Sequence, residues 1–291
     1  FNATAAVELG FLKEQGYDAE IVPMQGGWKE MRDGGVQFMA GSPYSALQVF
    51  PNWEGAKILC ALSQHTYWFL SVRSDLGAKR GDVSVVKGLK LGASAGPGMG
   101  LRRLLLDSGL DLERDNVTIE PIPDRFAQGH VRSQIGVNAI KHGDFDGYWG
   151  NGMRAEIGVR EGVADVLADV RRGDGPPGSM DYTFPALTTS DRMIAEQPEV
   201  VEATIRAVVK AQKTLKADPS RATEAARKHF PPGELELIAE LVRRDSPFYE
   251  ATVSDYKAAK LNDFARSMGL QAGPVPYEQV VARQFKHLWT E

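Results

Sequence analysis

The chain has 291 residues, 43% of them hydrophobic and 25% charged, with 34 lysines and arginines against 38 aspartates and glutamates. These proportions exclude disordered and fibrous classes, and no apolar run approaches the roughly 20 residues that cross a bilayer. A net charge of −4 gives no electrostatic footing for nucleic acid, and the length suits two domains.

In chain order, the spacing of Ala6, Leu9 and Leu12 predicts a helix from Ala3 to Gln15 closed by Gly16. Glu20 to Met24 reads as a strand, then Gly26-Gly27 leads into a helix from Trp28. Val36 to Ala40 is a second strand, and Gly41-Ser42-Pro43 opens a helix through Val49. Lys57 to Leu62 and Tyr67 to Val72 are strands. Cys60, the one cysteine, sits in the apolar run Ile58-Leu59-Cys60-Ala61-Leu62 and reads as a buried small hydrophobe. An internal disulfide and a thiolate metal cage are thereby excluded. Strands alternating with helices across short glycine turns predict parallel, doubly wound sheets.

The pattern restarts at Val86 to Gly92, a loop and strand. Ser94 to Gly100 is a glycine-rich turn before a helix from Leu101 to Ser108, capped by Gly109. Val117 to Ile122 is a strand, Ala127 to His142 a helix ending at Gly143, and Phe145 to Trp149 a strand. Gly34-x-Val36-x-Phe38-x-Ala40-Gly41 is echoed by Gly143-x-Phe145-x-Gly147-x-Trp149-Gly150, a hint of two similar lobes. After a last strand from Thr183 to Thr188 helices dominate. Pro198 stands where an N1 proline belongs, and Val201, Ile205, Val208 and Leu215 form a helical stripe. Ser254 is placed to cap a helix running to Met268.

Together these segments resemble the ABC-transporter solute-binding proteins for nitrate, sulfonates, taurine and thiamine precursors. The resemblance is carried by the order of several degenerate motifs. They are Gly10 to Gly16, Gly26-Gly27, Val36 to Pro43, Lys87-Gly88-Leu89-Lys90-Leu91-Gly92, and Gln197-Pro198-Glu199-Val200-Val201. It implies a two-lobed type II periplasmic-binding-protein-like α/β fold, each lobe a mostly parallel sheet flanked by helices, with a helical C-terminal region. Lobe 1 would be 1–67 and 186–291 and lobe 2 would be 68–185, with crossover strands near His65 to Val72 and Tyr182 to Thr188 and the ligand in the cleft. The implied partners are a small-molecule ligand and a membrane ABC permease. The implied setting is periplasmic, or extracytoplasmic and membrane-tethered, as a monomer with no cofactor, no nucleic acid and no enzymatic activity; the start at Phe1 without a leader is read as a signal peptide removed or a sequence trimmed. Gln37-Phe38, where many relatives carry aspartate, and Pro97 in the second-lobe turn depart from the pattern.

The residues expected to bind ligand are Ser42, Tyr44, Tyr67, Ser94, Gly98, Arg125, Trp149 and Asn151. Ser94 and Gly98 belong to a turn whose helix start can receive an anion, with Arg102 and Arg103 adding positive field. Arg125 can pair bidentately with a carboxylate or sulfonate. Trp28, Tyr44, Tyr67, Trp68, Phe126, Tyr148 and Trp149 lie near predicted strand ends, where open α/β sheets place ligands, and suit an aromatic body.

The rival is a serine hydrolase, because Gly92-Ala93-Ser94-Ala95-Gly96 fits a nucleophile elbow with Asp263 and His287 in the required order. Against it, Pro97 to Gly100 is read as separating Ser94 from its helix. A biosynthetic enzyme on the same fold is the other alternative. Certain menaquinone-pathway enzymes share that fold, whereas the thiamine-pyrimidine synthase type needs a cysteine-rich iron motif this chain lacks. Histidines 65, 130, 142, 229 and 287 show no His-x-x-x-His spacing or carboxylate pairing, so no metal site is expected.

Overall fold

Among the described residues eight strands form two separate sheets: β1 (Phe38–Gly41), β2 (Ala56–Ala61), β3 (Trp68–Arg73), β4 (Lys90–Gly92), β5 (Thr118–Glu120), β6 (Gly147–Asn151), β7 (Ala164–Ala168) and β8 (Ala186–Ser190). The structure is a computed structural model describing residues 1–24, 26–127 and 132–291. Unit 1 comprises Phe1–His65 and Thr183–Glu291, and unit 2 comprises Thr66–Tyr182.

In unit 1 the strand order is β1-β8-β2, with β8 antiparallel to both neighbours. The outer strands therefore run the same way, with one reversed strand inserted between them. Ile58, Leu59, Cys60, Ala61 and Leu62 are all buried, as the apolar run predicts. The Pro198–Ala217 helix begins on its proline and buries Val201, Ile205, Val208 and Leu215. Gln212 of that helix donates to the carbonyls of Ala61 and Leu62 at 2.9 and 3.2 Å, satisfying acceptors at the end of β2. Ser254 caps the Asp255–Ser267 helix, accepting from the Lys257 amide.

In unit 2 the order is β5-β4-β6-β3-β7. β4 pairs parallel with β5 and β6, while β3 is antiparallel to β6 and β7. Four strands thus share a direction and β3 is the single reversed one. The Ala95–Asp107 helix covers one face, with Gly100 against Trp149. The Ile135–His142 and Gly152–Arg160 helices cover the other, enclosing Tyr148. A Cβ at Gly136 would lie 2.6 Å from the Tyr148 ring and one at Gly150 3.1 Å from it, and one at Gly158 would overlap the hydroxyl. Three glycines therefore make room for one tyrosine that is 1% exposed.

Several expectations need correction. The Ala3 to Gln15 helix is broken into Asn2–Glu8 and Phe11–Glu14, because Gly10 adopts φ +77°. Glu20 to Met24 forms no strand; Val22 and Met24 are exposed and no neighbouring strand pairs with them. The Ser42-Pro43 segment opens a 3₁₀ helix, Pro43–Gln48. The turn from Ser94 to Gly100 is itself helical from Ala95, since Gly98 lets the helix approach Ala93. The described part of the expected Ala127 to His142 helix is helical only over Ile135–His142, and residues 128–131, His130 among them, lie outside the described residues. The Gly152–Arg160 helix and β7 have no counterpart in the sequence reading. The echo holds locally: Gly34 and Gly143 both end helices at positive φ, each before a strand.

Candidate functional site

The most informative place is the C-terminal end of β4 and β6 in unit 2. These parallel neighbours share the register Leu91↔Gly147 and Gly92↔Tyr148. From β4 the chain enters the Ala95–Asp107 helix and returns in β5 on one side. From β6 it enters the Gly152–Arg160 helix and returns in β7 on the other. This is a topological switch point, where open α/β sheets bind ligands. Two helix N-termini reach it from opposite faces, each with the positive end of its dipole.

Ser94 is half-buried at the N-cap with φ −66° and ψ 149°, and its side chain makes no capping bond. Asn151 is half-buried at the other N-cap, where its Oδ1 accepts from the Arg154 amide at 3.2 Å. Tyr67, just before β3, is half-buried with its ring 5.1 Å from that of Trp68. Trp68 lies opposite Asn151 in the sheet register. Ser94, Asn151 and Tyr67 therefore share one unit, and Asn151 and Tyr67 share one strand pair's end.

The other expected residues are placed differently. Gly98 is a packing glycine: a Cβ would meet that of Ala93 at 3.2 Å, and its amide donates to the Ser94 carbonyl. With that amide occupied and Pro97 offering none, the turn is a poorer anion cradle than its glycines suggest. Arg125 lies on the surface, engaged by Asp144 and stacked on the Phe126 ring. Trp149 is 3% exposed within the core of unit 2, although its indole N–H finds no acceptor among the described residues. In unit 1, Ser42 is half-buried at the start of the 3₁₀ helix, while Tyr44 is 1% exposed with its ring 4.9 Å from that of Phe264. Trp28, Phe126 and Tyr148 are likewise buried, which leaves Tyr67 and Trp68 as the half-exposed aromatics of the expected group. Arg103 is held by Asp107, and Arg102 is exposed.

Sequence reasoning did not single out Arg154, in the first turn of the Gly152–Arg160 helix. No carboxylate pairs with its guanidinium among the described residues. Burial, and then the like charge of Arg132, hold its pKa below the usual arginine value. The available signal was Gly150, small enough to let a long side chain lie across β6.

For the hydrolase reading, one objection falls and two appear. The helix does follow β4 at once, so Ser94 is not separated from it. Yet Ser94 has relaxed extended backbone angles, whereas a nucleophile elbow is strained. Asp263 is paired with Arg266, and the His287 ring bonds the Gln284 carbonyl of its own turn. Cys60 is fully buried and its thiol is pushed up to about 12 by desolvation, which suppresses the thiolate. Among the described residues no group of three His, Cys, Asp or Glu could hold a metal ion, and no helix is long and apolar enough to cross a membrane.

This is the fold of the two-lobed periplasmic solute-binding proteins. No family model matches the sequence, and no curated protein does. Among solved structures, the chain is similar to the putative periplasmic sulfonate-binding protein SsuA of Methylobacillus flagellatus KT, with 16% identity and TM-score 0.68 over 98% of this chain and 87% of that one. It is also similar to the periplasmic nitrate-binding protein NrtA of Synechocystis PCC 6803, at 16% identity and TM-score 0.68 over 99% and 84%. A mutant of DszB in complex with biphenyl-2-sulfinic acid, DszB being a desulfurization enzyme, matches at 16% identity and TM-score 0.67 over 98% and 94%. The fold thus serves binders and an enzyme alike, and function has to be argued from side chains.

Proposed function

We propose that this chain is the extracytoplasmic solute-binding component of an ABC importer. It captures a small organic anion, a carboxylate or sulfonate with an apolar or aromatic body, and presents it to a membrane permease. The observation that carries this reading is the fold. Two α/β units, each with one reversed strand, match proteins named for sulfonate and nitrate binding over nearly their whole length. The switch point of β4 and β6, with Tyr67 beside it, supports an anion with a flat body.

A thermal-shift screen of aromatic and aliphatic carboxylates, sulfonates and pyrimidines tests the reading. A ligand at 100 times its dissociation constant adds about 2.7 kcal/mol of stability. A melt moved only by cationic or neutral compounds would refute the anion. Capture by closure of the two units predicts a smaller radius of gyration in solution scattering with a tight ligand; an unchanged radius counts against closure. DszB supplies the specific reason to test enzymatic chemistry. Stable labelling of Ser94 by a fluorophosphonate would overturn the binder-only reading.

A further inference from the structure

The Arg154 side chain is laid back over β6 rather than extended into solvent. A Cβ added at Gly150 would lie 3.0 Å from the Arg154 Cβ and 3.2 Å from its Cδ, so the stem needs that glycine. Gly150 pairs with Phe69 on β3, and Tyr67, two residues earlier, stands on the same face by strand alternation. The stem is thereby fixed at the end of the sheet where β3 begins and β6 ends. The Tyr148 hydroxyl donates to the Arg154 carbonyl at 2.8 Å, locking the helix turn that carries it.

A second arginine shares this end. Arg132 lies three residues before the Ile135–His142 helix, whose N-terminus is at the C-terminal edge of the sheet because the helix runs back to feed β6. Its Nη1 is 2.7 Å from Asp124, an aspartate 82% exposed, while its Nε is buried with no partner among the described residues. Arg132 and Arg154 interact as like charges, and Asp124 compensates only one of them. A half-buried charge without a partner is costly, and an anion placed there removes that cost.

Resting on the functional reading above, we infer that Arg154, backed by Arg132, fixes the anionic headgroup of the solute and selects a singly charged oxyanion over a doubly charged one. The guanidinium supplies a planar fork suited to a carboxylate or sulfonate. The single uncompensated positive charge matches one negative charge. Arg125, the arginine expected from the sequence, is instead neutralised by Asp144 at the surface.

The test uses the full chain, with benzenesulfonate and benzoate as monoanionic probes and phenylphosphonate at about pH 8.5, where such groups carry two charges. Binding is read by calorimetry and by the shift in melting temperature. The wild type should bind a monoanion more tightly than the phosphonate. Arg154→Gln should weaken that binding about tenfold to a hundredfold, Arg132→Gln should weaken it less, and Arg160→Gln, farther along the same helix, should leave it unchanged. Ligand-free Arg154→Gln should melt no lower than the wild type, because an uncompensated charge is removed; a purely structural arginine would lower the melt.

Unchanged monoanion affinity in Arg154→Gln, or equal affinity for the phosphonate, overturns this inference and leaves the functional reading standing. A wild type that binds only cationic or neutral solutes overturns this inference together with the anion of the functional reading, while keeping a binder. A wild type that binds none of the screened solutes overturns both. If Arg154→Gln does not fold, unchanged monoanion affinity in Arg132→Gln also overturns the inference.

Discussion

The enclosure of Tyr148 yields a sharp prediction for Gly158→Ala. The new methyl would overlap the Tyr148 hydroxyl and come within 3.1 Å of the Ala164 Cβ. A terminal hydroxyl would ordinarily swing aside, but this ring is 1% exposed and flanked by Gly136 and Gly150. Overpacking of this kind costs about 1–3 kcal/mol. Replacing glycine by alanine inside a helix returns about 1 kcal/mol, so Gly158→Ala should destabilise the wild type by up to about 2 kcal/mol. Tyr148→Phe removes the obstructing oxygen and the hydrogen bond to the Arg154 carbonyl, at about 1 kcal/mol. In that background Gly158→Ala should be neutral or stabilising, within about 1 kcal/mol of zero, so the two substitutions couple by about 1–3 kcal/mol. Urea unfolding of the four members of the cycle, followed by far-ultraviolet dichroism, measures this. An equal cost of Gly158→Ala in both backgrounds would show that the hydroxyl does not fill the space left by the glycine.

Three further outcomes are expected. Glu8 accepts from Lys228 at 2.7 Å and His229 at 2.9 Å, and these hydrogen bonds hold its carboxyl below the usual carboxylate range. Its folded pKa is depressed, so its contribution is present above the unfolded value of about 4.3 and is lost as pH falls through the folded value. Glu8→Gln should lower the melting temperature at neutral pH and flatten its decline in acid; an unchanged acid limb refutes the link. Cys60, with its thiol raised to about 12, should react with a thiol reagent only on unfolding, and rapid labelling of the native protein contradicts its burial. Asp169 and Arg171 form an ion pair at 3.1 Å with side chains 4% and 2% exposed. Asp169→Ala removes this charge-assisted pair and should cost about 1.5–3 kcal/mol, and a loss below about 1 kcal/mol in a urea melt refutes that.

Segments whose burial is set by local pattern were legible in the sequence. Ile58 to Leu62 declares its environment by an unbroken apolar run and the Val201, Ile205, Val208, Leu215 stripe by helical periodicity, and both are buried as read. Strand direction was less legible, because β3 and β8 are reversed by where the chain comes from, which no local pattern encodes. The Ser94 to Gly100 segment misled because glycine and proline count against a helix by propensity, whereas close approach to Ala93 requires the glycine. The aromatics carry the opposite ambiguity: Tyr44 and Trp149 look the same in sequence whether they line a ligand or fill a core, and both are buried. Arg154 went unread because its meaning lies in the carboxylate it lacks, and a missing partner leaves no trace in a string of residues.

The position of β8 also fixes an order of events during synthesis. β8 is the middle strand that joins β1 to β2, yet it is made about 125 residues after β2 at the chain-extension rates of translation. Until it emerges, β1 and β2 have no strand between them and each presents open edges. The sheet of unit 2 is contiguous in the chain and needs nothing that comes later. Residues 66–182 should therefore acquire protection from proteolysis on the ribosome first, with residues 1–65 left unprotected until the final third of the chain arrives.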